Sequence, residues 1–233
     1  MLSKTITLRQ IPKATRAFSW QAAGDKGVPS IFSNLEKHGF LPSSKPIAVL
    51  PSQFNPLNEL LDKMTHLQNG KPTGLLAKNE FRKVVDKDFP DLMHEIKKVD
   101  IKDARLNAAL FRDYSFATAT YMLEPCHHGW GANNSYGRGM DFIPEHLAKP
   151  MVELAKRIGY GQPILDYAYG YSLNNWVMKN DKNPNSLEYD NDDLVPDPSK
   201  TIGNLDFVRK FYGCDNERGF ILVHTAIVSK SHK

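Results

Sequence analysis

Gly219-Phe220-Ile221-Leu222-Val223-His224-Thr225-Ala226-Ile227 is a stretch that is apolar at nearly every position and carries one histidine. If it forms a helix, Phe220, His224 and Ile227 are spaced i, i+4, i+7 and share one face. We expect this face to look into a buried space. A buried imidazole needs a hydrogen-bond partner or a ligand. His224 is therefore either a core histidine bonded to a backbone carbonyl or a pocket histidine that faces a substrate or a metal-bound gas.

The composition around this stretch is that of a globular protein. The chain has 233 residues, of which 41% are hydrophobic and 24% charged, so it can bury a core as one large domain or two small ones. The formal net charge of +4 is spread along the chain and gives no argument for a nucleic-acid partner. No apolar run approaches the length needed to span a membrane. Two cysteines, Cys126 and Cys214, argue against a disulfide framework and favour a reducing compartment.

The N-terminus differs from the rest of the chain in charge. Residues 1–24 contain no acidic residue and several basic ones, which is the composition of a mitochondrial presequence. Pro12 interrupts the amphipathic pattern, however, so we favour a flexible basic arm on a cytoplasmic protein and keep mitochondrial targeting as the alternative. A small N-terminal subdomain over 25–100 and a large helical domain over 101–233 follow this arm.

Helical periodicity dominates the first half of the chain beyond an irregular, Gly- and Pro-rich segment. Asn55 and Pro56 predict the start of a helix that continues through Leu67 and ends at Gly70. Residues 75–99 predict one or two short helices divided near Pro90. Residues 101–123 are apolar around the whole helical circumference, which predicts a buried central helix. The predicted fold class is therefore mostly α, a helical bundle with an irregular N-terminal part.

The second half contains a glycine-rich segment and an aromatic one. We expect residues 125–139 to form a loop at the surface or at a pocket rim. A metal site on Cys126, His127 and His128 is the weaker alternative, since adjacent residues point in different directions. A helix is predicted from about Pro150 to Gly159. The aromatic residues that follow suit either a core layer or a pocket for a flat ligand. A long polar connection over 178–206 and a short helix over 205–212 then lead to the apolar stretch around Phe220.

Three segments occur in an order and spacing that resemble the indoleamine 2,3-dioxygenase family, and the likeness covers most of residues 35–227. Phe142-Ile143-Pro144 leads to Pro150-Met151-Val152-Glu153, Pro163-Ile164-Leu165-Asp166-Tyr167-Ala168 leads to Leu173-Asn174-Asn175-Trp176, and Glu217-Arg218-Gly219-Phe220-Ile221-Leu222-Val223-His224 follows. The resemblance implies a mostly helical haem protein of tryptophan catabolism. Such an oxidoreductase adds both atoms of dioxygen across the C2–C3 bond of an indole, turning tryptophan into N-formylkynurenine.

The resemblance also implies roles for individual residues. Phe220 corresponds to the aromatic residue that packs on the indole above the haem, and Ile221 stands where a second pocket aromatic is often found. His224 corresponds to the distal position near the bound oxygen, where a neutral imidazole nitrogen can accept a hydrogen bond from the indole N–H. Three further residues resemble the pocket wall: Tyr167, Tyr171 and Ser172.

The family's chain continues beyond the point that corresponds to Lys233. Its further part supplies the proximal histidine of the haem iron and an arginine for the substrate carboxylate, and neither has a match here. A haem without its proximal ligand loses its main anchor. We therefore expect a complementary C-terminal chain as a partner, and exposed apolar faces on residues 106–123 and 219–227 without it. The alternative is a non-catalytic helical binding or regulatory module derived from that family.

Overall fold

The computed structural model describes residues 44–133, 137–165, 167–179 and 204–230, with side chains for all of these except 127–133, 167, 168 and 224–230. The predicted basic arm, the start of the irregular segment and most of the polar connection lie outside these ranges. The described part is mostly helical, which confirms the predicted fold class.

Six α-helices of the described chain are labelled in chain order. They are α1 Asn55–Met64, α2 Phe81–Asp88, α3 Met93–Lys98, α4 Ala104–Asn133, α5 Glu145–Arg157 and α6 Asp215–Lys230. A 3-10 turn spans Ser52–Phe54 and a π-helical segment spans Tyr167–Leu173. Two antiparallel pairs of short strands complete the fold: β1 Leu67–Gln68 with β2 Lys71–Pro72, and β3 Trp176–Met178 with β4 Leu205–Phe207.

Helix α4 is the centre of the fold, as predicted. Helices α1, α2 and α5 and the π-helical segment all pack against it. The expected exposure of residues 106–123 is therefore wrong for most of this helix, because elements of the same chain cover it. No helix in the described ranges has the length and apolarity needed to cross a membrane. The buried side chains of α4 include Leu110, Phe111, Tyr114, Phe116, Ala117 and Tyr121.

Helix α4 continues past Pro125 to Asn133, so the loop predicted over 125–139 is wrong for its first part. A proline inside a helix removes one N–H donor and crowds the preceding turn. The missing donor is the helical partner of the Tyr121 carbonyl. In the same turn, the backbone N–H of Met140 donates to the next carbonyl, that of Met122, at 3.0 Å.

Helix α1 is shorter than predicted and ends at Met64. Asn69 and Gly70 both have positive φ, 52° and 73°, and form the tight turn between β1 and β2. An Asn-Gly pair with both φ angles positive suits the two-residue turn of a β-hairpin. Gly70 therefore turns a hairpin and does not stop a helix. The two short helices predicted over 75–99 are confirmed as α2 and α3, with Pro90 between them.

Helix α5 starts at Glu145, before the predicted start at Pro150. The N–H groups of Leu147 and Ala148 both donate to the carbonyl of Pro144, at 3.0 and 2.9 Å, and these bonds begin the helix early. Gly159, with φ 73°, follows its end as predicted.

The short helix predicted over 205–212 is wrong. Residues 205–207 instead form strand β4, in which Phe207 pairs with Trp176 and Leu205 with Met178. These partners are about thirty residues away in the sequence, so the local pattern could not show the pairing.

Candidate functional site

Helix α6 confirms that the opening stretch is helical, and three predicted site residues lie on it: Phe220, Ile221 and His224. Ile221 is completely buried, whereas Phe220 is 54% exposed and Val223 is 56% exposed. Neighbouring helix positions point about 100° apart, so Phe220 and Ile221 serve different surfaces. The expectation that the face of Phe220 looks into a buried space is wrong for this residue.

Glu217 fixes the start of α6 to the loop before it. Its Oε1 accepts a hydrogen bond from the N–H of Phe211 at 2.6 Å, and its Oε2 accepts from Tyr212 and Gly213 at 2.9 and 2.8 Å. Gly213 has φ +74°, and a Cβ there would lie 3.0 Å from Cγ2 of Thr65, so a larger residue is disfavoured. This loop is therefore held tightly at the entrance to the helix.

An aromatic cluster connects this loop to the central helix. Tyr171, from the π-helical segment, stacks on Phe116 of α4 and on Phe211, with ring centroids 5.5 and 5.9 Å apart. Phe116 and Phe211 are themselves 4.8 Å apart. π-helical turns are rare and are found frequently at functional sites. The cluster places one predicted pocket residue, Tyr171, between α4 and the start of α6.

Ser172 follows Tyr171 and is completely buried. Its Oγ finds no hydrogen-bond partner among the described residues. An unsatisfied buried hydroxyl costs about 1–3 kcal/mol. This group is therefore suited to bind a water molecule or a polar atom of a ligand.

A cavity of about 220 Å³ lies beside the aromatic cluster. Burial, followed by the charges of Glu217, Cys214 and Glu124, raises the pKa of the Tyr212 hydroxyl above its ordinary value. That hydroxyl therefore remains protonated at neutral pH. The space suits a small apolar group with one or two polar contacts. Its lining consists of Leu76, Ala119, Thr120, Leu123, Tyr171, Phe211, Tyr212 and Glu217.

The structure brings only some of the predicted site residues together. Tyr171 and Ser172 lie next to each other in the buried part of the π-helical segment. The side chains of Tyr167 and His224 lie outside the described residues, as do those of His127 and His128 in the alternative metal site. Within the described ranges, no group of three His, Cys, Asp or Glu side chains is placed to hold a metal ion.

The sequence model of the family described as "Indoleamine 2,3-dioxygenase" matches residues 30–233. This chain belongs to the indoleamine 2,3-dioxygenase family. Mouse indoleamine 2,3-dioxygenase 2 is 25% identical to it over 197 residues, which cover 84% of this chain and 38% of the mouse protein. The chain thus spans well under half the length of that relative.

The sequence did not predict the contacts that three residues make at this site: Phe116, Phe211 and Glu217. Phe116 was predicted only as part of the apolar face of α4, and its stacking on Tyr171 joins positions 55 residues apart. Glu217 did carry a signal, because an acidic residue in the first turn of a helix is a common N-terminal feature. Its three backbone partners lie on a loop whose path the sequence alone does not specify.

Proposed function

We propose that this chain forms the distal side of the haem pocket of a dioxygenase. The enzyme opens the C2–C3 bond of tryptophan or a related indole by adding both atoms of dioxygen. Membership of the indoleamine 2,3-dioxygenase family supports the reaction class. The observation that carries the proposal is the apolar outer face of α6, where Phe220 and Val223 are each more than half exposed.

The residues of this face fit a haem. Phe220 and Val223 lie one turn apart, and the two exposed side chains offer an apolar surface to a flat apolar ligand. Exposed apolar side chains that adjoin one another can form a surface that a ligand or partner covers, whereas single ones are ordinary. When bound, haem supplies the redox-active iron for the reaction with dioxygen.

The protein residues bind and orient the indole. The Phe220 ring packs against the indole ring, and Ile221, buried beneath it, holds the helix in position. His224 is one helical turn beyond Phe220 in α6, and we assign its neutral imidazole as acceptor of the indole N1–H. Tyr167, Tyr171 and Ser172 form the wall, where the buried Ser172 hydroxyl can donate to the substrate or to a bound water.

We also propose a complementary helical segment as a partner. The exposed outer face of α6 supports it, because the haem and this segment together would remove Phe220 and Val223 from water. The matched relative is also longer than the part that aligns, because the alignment covers 38% of the mouse protein. In the complete site this segment contributes the iron ligand and the contact to the substrate carboxylate.

The test is a titration of the 233-residue chain with haemin and dithionite in the presence of imidazole, followed by its visible spectrum. The imidazole takes the place of the iron ligand that the complementary segment supplies. We expect a saturable Soret shift that weakens at least fivefold in Phe220→Ala. Phe142→Ala is the matched control, since Phe142 is also an exposed phenylalanine but lies before α5. Its titration should equal that of the unmodified chain.

The His224→Ala variant separates two roles. Retention of the Soret shift together with loss of indole cleavage supports a distal role, whereas loss of the shift makes His224 an iron ligand. Absence of any saturable shift, or equal weakening by Phe220→Ala and Phe142→Ala, contradicts the haem proposal. Cooperative unfolding of a chain without haem binding would instead favour the non-catalytic binding module. The continuous core of the described residues supports that alternative.

A further inference from the structure

A second cavity, of about 320 Å³, lies away from α6. It is lined by residues 44–47, the first two turns of α4 and the end of the π-helical segment. Ala104, Ala108 and Ala109 give it a smooth apolar floor, and Tyr169 forms part of its wall. Its lining shares no residue with the cavity beside Tyr171.

Within the described ranges, the charged residues that line this cavity are both basic. Lys45 and Arg105 line it, and none of its described lining residues is acidic. Lys45 is only 5% exposed, although it also makes an interaction of its own. Arg105 lies on the exposed side of α4 and has no ion pair with any described residue. Arg105 is therefore placed to attract an anion.

Arg112 is a third cation near this cavity and bonds to two of the residues that line it. Arg112 is completely buried, and its Nη1 donates to the carbonyls of Ile47 and Asn174 at 2.8 and 2.9 Å. Both of these residues line the cavity. Nη2 of Arg112 has no hydrogen-bond partner within the described part of the chain. A buried guanidinium with an unused donor is an expensive group to leave unsatisfied.

The buried charges near Arg112 do not balance. Arg112 and Arg209 both bond to Asp113, at 2.7 and 2.8 Å, so two buried cations share one buried carboxylate. Asp62 also pairs with Arg209, but its side chain is 72% exposed and its charge is screened by water. Burial lowers the pKa of Arg112 despite the nearby Asp113, and the charge of Arg209 adds to this effect. Arg112 therefore shares its buried carboxylate with a second guanidinium, one helical turn from Ala108.

We propose that this cavity binds a small aromatic carboxylate. The ring lies over the alanine floor against Tyr169, and the carboxylate points to Arg105. Tyr169 packs against Phe111 and Tyr160, with ring centroids 6.1 and 5.5 Å apart, so an aromatic ligand would extend an existing cluster. An amine would meet like charges, and a small inorganic anion would leave the apolar floor uncovered.

Isothermal titration calorimetry of the full chain tests this site with phenylacetate. We expect saturable binding that is at least tenfold tighter than that of phenylacetamide, which keeps the shape but lacks the charge, and tighter than that of inorganic phosphate. Arg105→Gln should weaken phenylacetate binding about tenfold, because it removes a charge-assisted contact. Arg105 is exposed, so this variant should keep the fold. Lys97→Gln removes another exposed cation, on α3, and should change nothing.

A second variant tests the apolar floor. Ala108→Leu places a larger side chain in the cavity and should abolish binding while Arg105 and Lys45 remain in place. Circular dichroism of the variant shows whether α4 is intact. Equal affinity for phenylacetate and phenylacetamide, equal losses in Arg105→Gln and Lys97→Gln, or no saturable heat in the unmodified chain would each overturn the proposal. The haemin titration is independent, because no residue is shared between this cavity and the outer face of α6.

Discussion

Helices α4 and α6 are both rich in apolar residues, yet the rest of the chain buries them to different extents. Helix α4 is covered by α1, α2, α5 and the π-helical segment. Helix α6 packs against the π-helical segment and β4, and leaves Phe220 and Val223 exposed on its outer side. An apolar pattern therefore predicts that a helix needs covering, but it does not say what covers it. In α4 the cover is the same chain, and in α6 we propose a ligand and a second segment.

The same contrast appears in how each helix satisfies its polar groups. Glu124 of α4 is almost completely buried and accepts hydrogen bonds from the backbone N–H groups of Phe81 and Arg82, at 2.8 and 3.1 Å. It thereby caps the first turn of α2. Glu217 of α6 caps a half-buried loop instead. If either glutamate is removed, water can replace the lost hydrogen bonds only where it reaches the backbone N–H groups. The loss of stability should therefore be larger at Glu124 than at Glu217.

The largest expected effect comes from truncating one phenylalanine on each helix. Phe116→Ala empties a completely buried position in the aromatic cluster and should lower the free energy of unfolding by about 3–5 kcal/mol. Phe220→Ala removes a side chain that is largely in water and should cost less than about 1 kcal/mol. Urea denaturation followed by circular dichroism measures both. Equal costs would mean that α6 is covered as completely as α4.

An intermediate effect is expected from the two capping glutamates. Glu124→Ala leaves buried N–H groups and the Arg82 guanidinium without their acceptor, and should destabilise the chain by about 2–3 kcal/mol. Glu217→Ala should cost about 1 kcal/mol, since water can reach the half-buried loop. Native-state hydrogen exchange can locate each loss. We expect faster exchange in α2 for the first variant and in residues 211–213 for the second, and the reverse assignment would refute the comparison.

The smallest effect concerns pH and the half-buried contacts of α6. Burial alone would raise the pKa of Asp206, but hydrogen bonds from Lys210 and the Phe207 N–H, together with the charges of Lys210 and Arg218, lower the pKa below its ordinary value. Because the folded-state pKa is depressed, the stabilisation is present above the unfolded pKa and is lost as pH falls through the folded value.

Asp206→Asn should therefore reduce the loss of stability between about pH 5 and pH 3, and leave the remaining pH dependence unchanged. Thermal melts at a series of pH values measure this loss. Asp141→Asn is a matched control, because Asp141 pairs with Arg138 in an exposed ion pair far from α6 in the sequence. An unchanged acid limb in Asp206→Asn would show that Asp206 does not contribute to it.

Local patterns predicted the helices that can be recognised from neighbouring residues. The apolar circumference of residues 101–123 predicted the central helix, and the stretch around Phe220 predicted α6. The ordered motifs predicted the family, which the match over residues 30–233 confirms. The roles of Phe220, Ile221 and His224 remain predictions, as do the cytoplasmic location and the domain boundaries.

The errors have a shared physical origin, which is dependence on distant residues. Residues 205–207 form a strand because Trp176–Met178 supply its hydrogen-bond partners. Helix α4 continues beyond Pro125, and in the turn before this proline the N–H of Met140 donates to the carbonyl of Met122. Neither contact can be predicted from the hydrophobic pattern of the neighbouring residues.

The sequence by itself determined that this chain is a mostly helical member of its family, because helix periodicity and motif order are local and sequential properties. Only the tertiary structure decided which apolar faces are buried, because burial depends on what the rest of the chain places against each face. It also decided that Phe220 and Ile221 point to different surfaces and that Arg112 and Arg209 share Asp113. Charge pairing and exposure are set by distances in space, and these emerge only when the chain is packed.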